Sequence, residues 1–274
     1  MTNLISTEKL ARHLDQVVVL DATWHLPNLK RNAHEEFLAA HIAGARFFDI
    51  DLTSDRSSPL PHALPSAEQF AAQMRAFGIS NKTQIVAYDS YGLFSAARCW
   101  WMFKIFGHDK VSVLDGGLKK WLIENRATQS GEPVPAKPAR FSATLNPAMI
   151  RNMEQVAEGN SQIADARSPA RFRGEEAEPR PGVRSGHIPC ARNVHYASLL
   201  AAEGTLSDRE ALASKFAEAG VDTAKPIITS CGSGVTAAIL SLALTELGAK
   251  NHALYDGSWA EWGSSTKPLS TGPA

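Results

Sequence analysis

The chain has 274 residues, 44% of them hydrophobic, enough for one large domain or two ordinary ones at roughly 150 residues each. Lys+Arg and Asp+Glu number 28 each, so the net charge is zero and there is no basic surplus of the kind that nucleic acids and anionic membranes select for. Gly at 19 and Pro at 15 are near ordinary usage, which excludes collagen-like and broadly disordered chains.

The N-terminal stretch carries Glu8, Lys9, Arg12 and Asp15 where a secretory signal needs an apolar run. No apolar run approaches the ~20 residues that span a bilayer. VVVL (17–20), QIVAY (84–88) and VSVL (111–114) are near-continuous β-branched runs, predicted as strands buried on both faces. Ser66 to Gln69 reads as a capping box opening a helix that ends at Gly78. Cys99, Trp100 and Trp101 lie in an apolar helical stretch and are expected in the core. SGEPVPAKPAR (130–140) reads as an extended linker. Further on, Ser207 to Glu210 is predicted to cap a helix ending near Gly220. Pro226 to Ser230 is predicted as a buried strand, and Ala237 to Leu247 as a helix stopped by Gly248. The polar tail, 263–274, is expected to be loosely held. Cys99, Cys190 and Cys231 are too few and too scattered for a disulfide framework, and no CxxC pair suggests zinc. These features predict a soluble protein of a reducing compartment, the cytoplasm, with no metal or cofactor and no nucleic-acid or membrane partner.

The halves repeat. VVVLDA (17–22), HIAGAR (41–46), QIVAYDSYG (84–92) and LDGGLKKW (114–121) are followed in the same order by SQIADAR (161–167), HIPCAR (187–192), PIITSCGSG (226–234) and YDGSWAEW (255–262). The offsets are 144 for Asp21 and Asp165, 146 for His41 and His187, and 141 for Asp115 and Asp256 and for Trp121 and Trp262. Such ordered matches imply duplication. The expected division is 1–128, a linker at 129–146, and 147–274. Strands alternating with helices predict an α/β fold, each copy a parallel sheet flanked by helices, with ligands at the carboxyl ends of the strands. His41 and His187 occur in both copies and are read as structural.

Cys231 falls where a predicted strand ends and a predicted helix begins, in Cys-Gly-Ser-Gly-Val-Thr. Two glycines let the backbone curl with its N–H groups inward, and the helix N-terminus adds about half a positive charge. Both favour a thiolate over a thiol, and would hold a persulfide equally well. The plainer reading of Cys231 is a buried core thiol; its position and glycines point the other way. Cys190, after Pro189, reads as structural. Asp89 stands opposite Cys231 in the first copy, so that loop is expected to be inactive. A cysteine phosphatase loop would need Arg six residues after the Cys, where this chain has Ala237.

CGSGVTA, with the repeated HIxxAR and DG(G/S)xxxW blocks, resembles the tandem rhodanese family over roughly residues 4–262. The loop CGSGVT resembles that family's 3-mercaptopyruvate sulfurtransferase branch, whereas thiosulfate-using members carry a basic residue there. The resemblance implies two tandem rhodanese-like domains and a persulfide formed on Cys231, with pyruvate released and the sulfur passed to cyanide, a small thiol or a thioredoxin-like protein. It implies substrate contacts from Arg171 and Arg180 in ARFRGEEAEPR (170–180), although EEAE departs somewhat from the family pattern. Without it, Arg171, Arg173 and Arg180 read equally well as loop charges paired with Glu175, Glu176 and Glu178. It implies N–H donors from Gly232, Ser233, Gly234, Val235 and Thr236. It further implies that Asp51 and His62, in FFDIDLTSDRSSPLPHALP (47–65), form a proton relay with Ser233. The rival readings are a thiosulfate sulfurtransferase and a binding module without turnover.

Overall fold

The structure, a computed structural model, describes residues 2–273. It contains two compact units. The first holds the residues up to Asp55, Leu64–Asn146 and Ala202–Leu206; the second holds Arg56–Ala63, Pro147–Ala201 and the residues from Ser207 on.

Each unit is built on a five-stranded parallel sheet. In the first unit the strands lie side by side as Leu4–Ile5, Val111–Leu114, Ile85–Tyr88, Val18–Asp21 and Arg46–Phe47. In the second the order is Ile150–Arg151, His252–Tyr255, Ile227–Ser230, Gln162–Asp165 and Arg192–Asn193. Numbered along the chain, both sheets run first, fifth, fourth, second, third. The two copies therefore share a topology as well as motifs. The central strands Ile85–Tyr88 and Ile227–Ser230 are buried at every residue; the first is apolar throughout, while in the second the buried Thr229 hydroxyl is partnered by Ser241 at 2.9 Å.

Helices cover the sheets and end where the sequence marks them. Ser66 caps Ala67–Ala76 in a full capping box with Gln69, and Gly78 follows at φ +68°. Ala237–Leu247 stops at Gly248, φ +80°. Arg209–Glu218 differs by one residue from expectation: the N-cap is Asp208, not Ser207, and its carboxylate takes the Ala211 N–H. Cys99, Trp100 and Trp101 are buried in Ala96–Ile105, and burial pushes the Cys99 thiol well up. Cys190 is exposed, at φ +64°.

His41 and His187 are core residues. Each donates its Nδ1–H to the carbonyl of a phenylalanine, Phe37 or Phe172, at 2.8 Å, and stacks on that same ring. Residues 130–146 form no helix or strand but lie along the first unit, with Phe141 against Phe70 and Phe103. The tail is not loose, contrary to its composition. Ser270 and His187 exchange backbone hydrogen bonds, Trp262 Nε1 donates to the Pro268 carbonyl, and Leu269 packs on the core. No helix among the described residues is long and apolar enough to cross a membrane.

Candidate active site

At the carboxyl end of Ile227–Ser230, Ser230 stands opposite Asp165 of the neighbouring strand. The chain leaves the sheet there, curls through Cys231 to Thr236, and enters the helix at Ala237. Gly234 has φ +79°, the left-handed conformation that lets this short loop close. The loop's carbonyls are turned away and held: the Trp259 N–H donates to the Cys231 carbonyl at 2.9 Å and the Ala260 N–H to the Gly232 carbonyl at 2.8 Å. The Cys231 N–H donates to Ser258 Oγ at 3.2 Å. The N–H groups of Gly232 to Thr236 find no protein acceptor among the described residues. Loop amides left without acceptors, those of Ser233 to Val235 in buried residues, offer a set of donors for an anion.

The first copy shows what such a cradle does when filled. The Asp89 carboxylate accepts the N–H groups of Tyr91 and Gly92 on one oxygen, and of Phe94, Ser95 and Ala96 on the other, at 2.7–3.1 Å. Burial pushes this carboxyl up and the loop N–H groups pull against that rise. The Leu118 N–H holds the Asp89 carbonyl as Trp259 holds that of Cys231. The two loops thus share one backbone plan. In the first, the side chain itself is the anion.

Cys231 is only 1% exposed. The thiol is therefore buried, as the plainer sequence reading has it, and not open to solvent as its loop position leads one to expect. His62 is also buried, and its Nδ1 lies 2.8 Å from Ser233 Oγ, within the second unit. Asp51 lies in the first unit, where its Oδ2 accepts the Trp24 indole N–H at 3.1 Å.

Arg171, on the short helix Pro169–Arg173, reaches the loop: its Nη2 is 3.1 Å from where a Cβ on Gly232 would project. Glu178 takes the Arg171 Nη2 donor at 2.5 Å and the Nε donor at 3.3 Å. Glu178 also accepts Arg167 Nη1 at 2.8 Å, and Arg167 pairs with Asp165 at 2.7 Å and stacks over the Trp259 ring at 4.5 Å. Burial alone would lower the Arg167 pKa, but Asp165 and Glu178 hold it above the ordinary arginine value. Arg173 and Glu175 form an exposed pair, which is what the loop-charge reading expects of all these arginines. Arg180 lies two residues beyond Glu178, partly buried. Among the described residues no cluster of three or more His, Cys, Asp or Glu side chains could hold a metal ion.

The sequence matches the Rhodanese-like domain family over residues 6–124 and again over residues 151–265. The chain belongs to the rhodanese family. This rhodanese is 46% identical over 256 residues to the 3-mercaptopyruvate sulfurtransferase of Homo sapiens, covering 91% of this chain and 86% of that protein. It is 44% identical over 270 residues to the 3-mercaptopyruvate sulfurtransferase of Escherichia coli (strain K12), covering 96% and 95%. The crystal structure of SseA from Escherichia coli, a 3-mercaptopyruvate sulfotransferase, matches the rhodanese with a TM-score of 0.86 at 42% identity, over 94% of this chain and 99% of that one.

Sequence reasoning missed Arg167 and Ser258, and named Glu178 only as a solvated partner of the loop arginines; the Arg171–Glu178 pair forms, but buried. Arg167 had a signal, since it follows a buried strand by two residues where the first copy has Thr23. Glu178 had none, because one glutamate among three in a loop looks solvated.

Proposed function

We propose that this rhodanese moves the sulfur of 3-mercaptopyruvate, through a persulfide on Cys231, to a thiol, cyanide or a thioredoxin-like protein, and releases pyruvate. The observation that carries the reading is the open cradle: loop amides without acceptors around a cysteine in the second copy, where the first copy has filled the same cradle with Asp89. The names of close relatives support the donor.

The Cys231 thiolate attacks the donor sulfur. An S–S bond forms, the C–S bond breaks, and its electron pair passes into the keto group to give pyruvate enolate, which takes a proton at carbon. The N–H groups of Gly232 to Thr236 stabilise the outer sulfur of the persulfide, as those around Asp89 stabilise a carboxylate. Arg171 and Arg180 hold the donor carboxylate and carbonyl and favour charge developing on the enolate oxygen. Ser233 and His62, 2.8 Å apart, carry the proton from the donor thiol towards carbon. Asp51 joins that relay on the resemblance alone. The acceptor thiolate then attacks the outer sulfur and restores Cys231. Thiosulfate is the less favoured donor, because residues 232–236 carry no cation to meet a second negative charge. We further take the domains as 1–128 and 147–274, joined by 129–146, in the reducing cytoplasm.

Peptide mass spectrometry after 3-mercaptopyruvate, without acceptor, is expected to show one added sulfur on the peptide holding Cys231. Cys231→Ser should show neither that mass nor pyruvate release. An unmodified wild-type peptide, or substantial pyruvate from the serine variant, would end this reading.

A further inference from the structure

Glu178 is a buried carboxylate, its side chain 3% exposed, inside a loop of charges. It is anchored from behind. Arg167, which donates Nη1 to it at 2.8 Å, is itself locked by Asp165, by the Gly186 carbonyl at 2.9 Å and by the Trp259 ring. In front, Glu178 occupies one side of the Arg171 guanidinium, the side that carries Nε and Nη2. Arg171 Nη1 has no protein acceptor among the described residues. The guanidinium rests against Gly232, the residue after the nucleophile. Two arginines and two carboxylates cancel, so this group of four adds no net charge to the site. What it adds is direction. A free arginine carries roughly 2 kcal/mol of rotamer entropy, which a substrate would otherwise have to freeze.

We propose that Glu178 is a positioning residue, and that the frame Asp165–Arg167–Glu178 sets Arg171 so that its Nη1 edge faces a carboxylate arriving beside Cys231. The proposal rests on the function above for the identity of the donor, but not for the frame. It assigns the Arg171 edge a preference for carboxylate-bearing sulfur donors and reagents over neutral ones of the same size. Glu178 acts only through Arg171 and does not touch the reacting atoms.

The test compares alkylation of Cys231 by iodoacetate, which carries a carboxylate, and by iodoacetamide, which does not. In Glu178→Gln the iodoacetate rate is expected to fall roughly tenfold relative to the iodoacetamide rate, as Arg171 loses its orientation. Glu178→Asp, which keeps the charge, should recover part of the ratio. Deleting a negative charge while Arg171 stayed in place would instead speed iodoacetate, so an unchanged or increased ratio overturns the proposal. An equal fall with both reagents means a disturbed loop and overturns it too. Should Glu178→Gln fail to fold, Glu178→Asp carries the same comparison: a lowered ratio supports the frame and an unchanged one refutes it. The KM for 3-mercaptopyruvate should rise in parallel with the lost ratio while kcat changes less. If wild-type protein released no pyruvate but Glu178→Gln still lost the ratio, the donor assignment would fall and the role of Glu178 would stand. Wild-type Cys231 inert to both reagents would overturn both.

Discussion

Asp21 and Asp165 end equivalent strands, yet only Asp165 meets an arginine. Two residues beyond Asp165 stands Arg167, whose guanidinium closes on the carboxylate. Two residues beyond Asp21 stands Thr23, which offers its N–H at 2.9 Å and its hydroxyl at 2.5 Å but no charge. Burial therefore dominates and holds the Asp21 carboxyl up at about 6, from an ordinary 3.8. The folded chain binds that proton more tightly than the unfolded chain. Stability from this group is then present below about pH 4 and is lost as pH rises to about 6. A shift of about two units corresponds to at most about 3 kcal/mol. Asp21→Asn, which keeps an oxygen for Thr23, should be more stable than wild type at neutral pH by part of that amount. The gain should vanish near pH 4. Urea unfolding at both pH values measures this, and a gain that does not depend on pH would contradict it. The repeat shows both aspartates in the sequence. It does not show which is paired, because that depends on the direction one side chain takes after the strand ends.

The first residue of the helix Ser258–Trp262 makes a similar comparison between elements. In the first copy this position is Gly117 at φ +51°; in the second it is Ser258 at φ +49°. A Cβ on Gly117 would stand 2.4 Å from the Asp89 carbonyl oxygen, so glycine is required there. Ser258 accepts the left-handed backbone, and its hydroxyl takes the Cys231 N–H and donates to the Tyr255 carbonyl at 2.8 Å. Ser258→Ala keeps the strain and leaves a buried N–H without an acceptor, a cost of about 2 kcal/mol. Ser258→Gly loses the same bond but relieves about 1 kcal/mol of backbone strain, so it should be the milder change. Chemical denaturation of both variants checks the order; an alanine variant as stable as wild type would show that the bond is not needed. Most elements were legible in advance because strands, capping boxes and glycine stops are local signals, as at Ser66 and Gly248. The shift from Ser207 to Asp208 was not, since either side chain can cap. The tail was misjudged because its anchoring comes from His187 and Trp262, far from it in sequence or hidden within the preceding helix.

At the scale of the whole chain, one topology is used twice with opposite contents in its loop. Duplication alone would leave two cradles open to an anion. Asp89 closes one of them with five backbone donors. Restoring a sulfur there tests how much of the chemistry lies in the cradle. In Asp89→Cys the first loop regains its nucleophile and keeps its amides. It lacks the arginines, however: the positions that match Arg167 and Arg171 by their distance from the strand-end aspartate are Thr23 and Pro27. The arginine that does touch this loop, Arg31, spends Nη1 on the Tyr91 hydroxyl at 3.2 Å and Nε and Nη2 on Glu36, so the cradle can stabilise a persulfide but has no free guanidinium edge to hold a keto acid in line with the thiolate. Intact-protein mass after 3-mercaptopyruvate should therefore show one added sulfur per chain in Asp89→Cys, as in wild type. Two added sulfurs would mean that the loop suffices without the arginines. That result would shift the weight of the mechanism from substrate orientation to anion stabilisation, and the frame behind Arg171 would then have to be explained by stability.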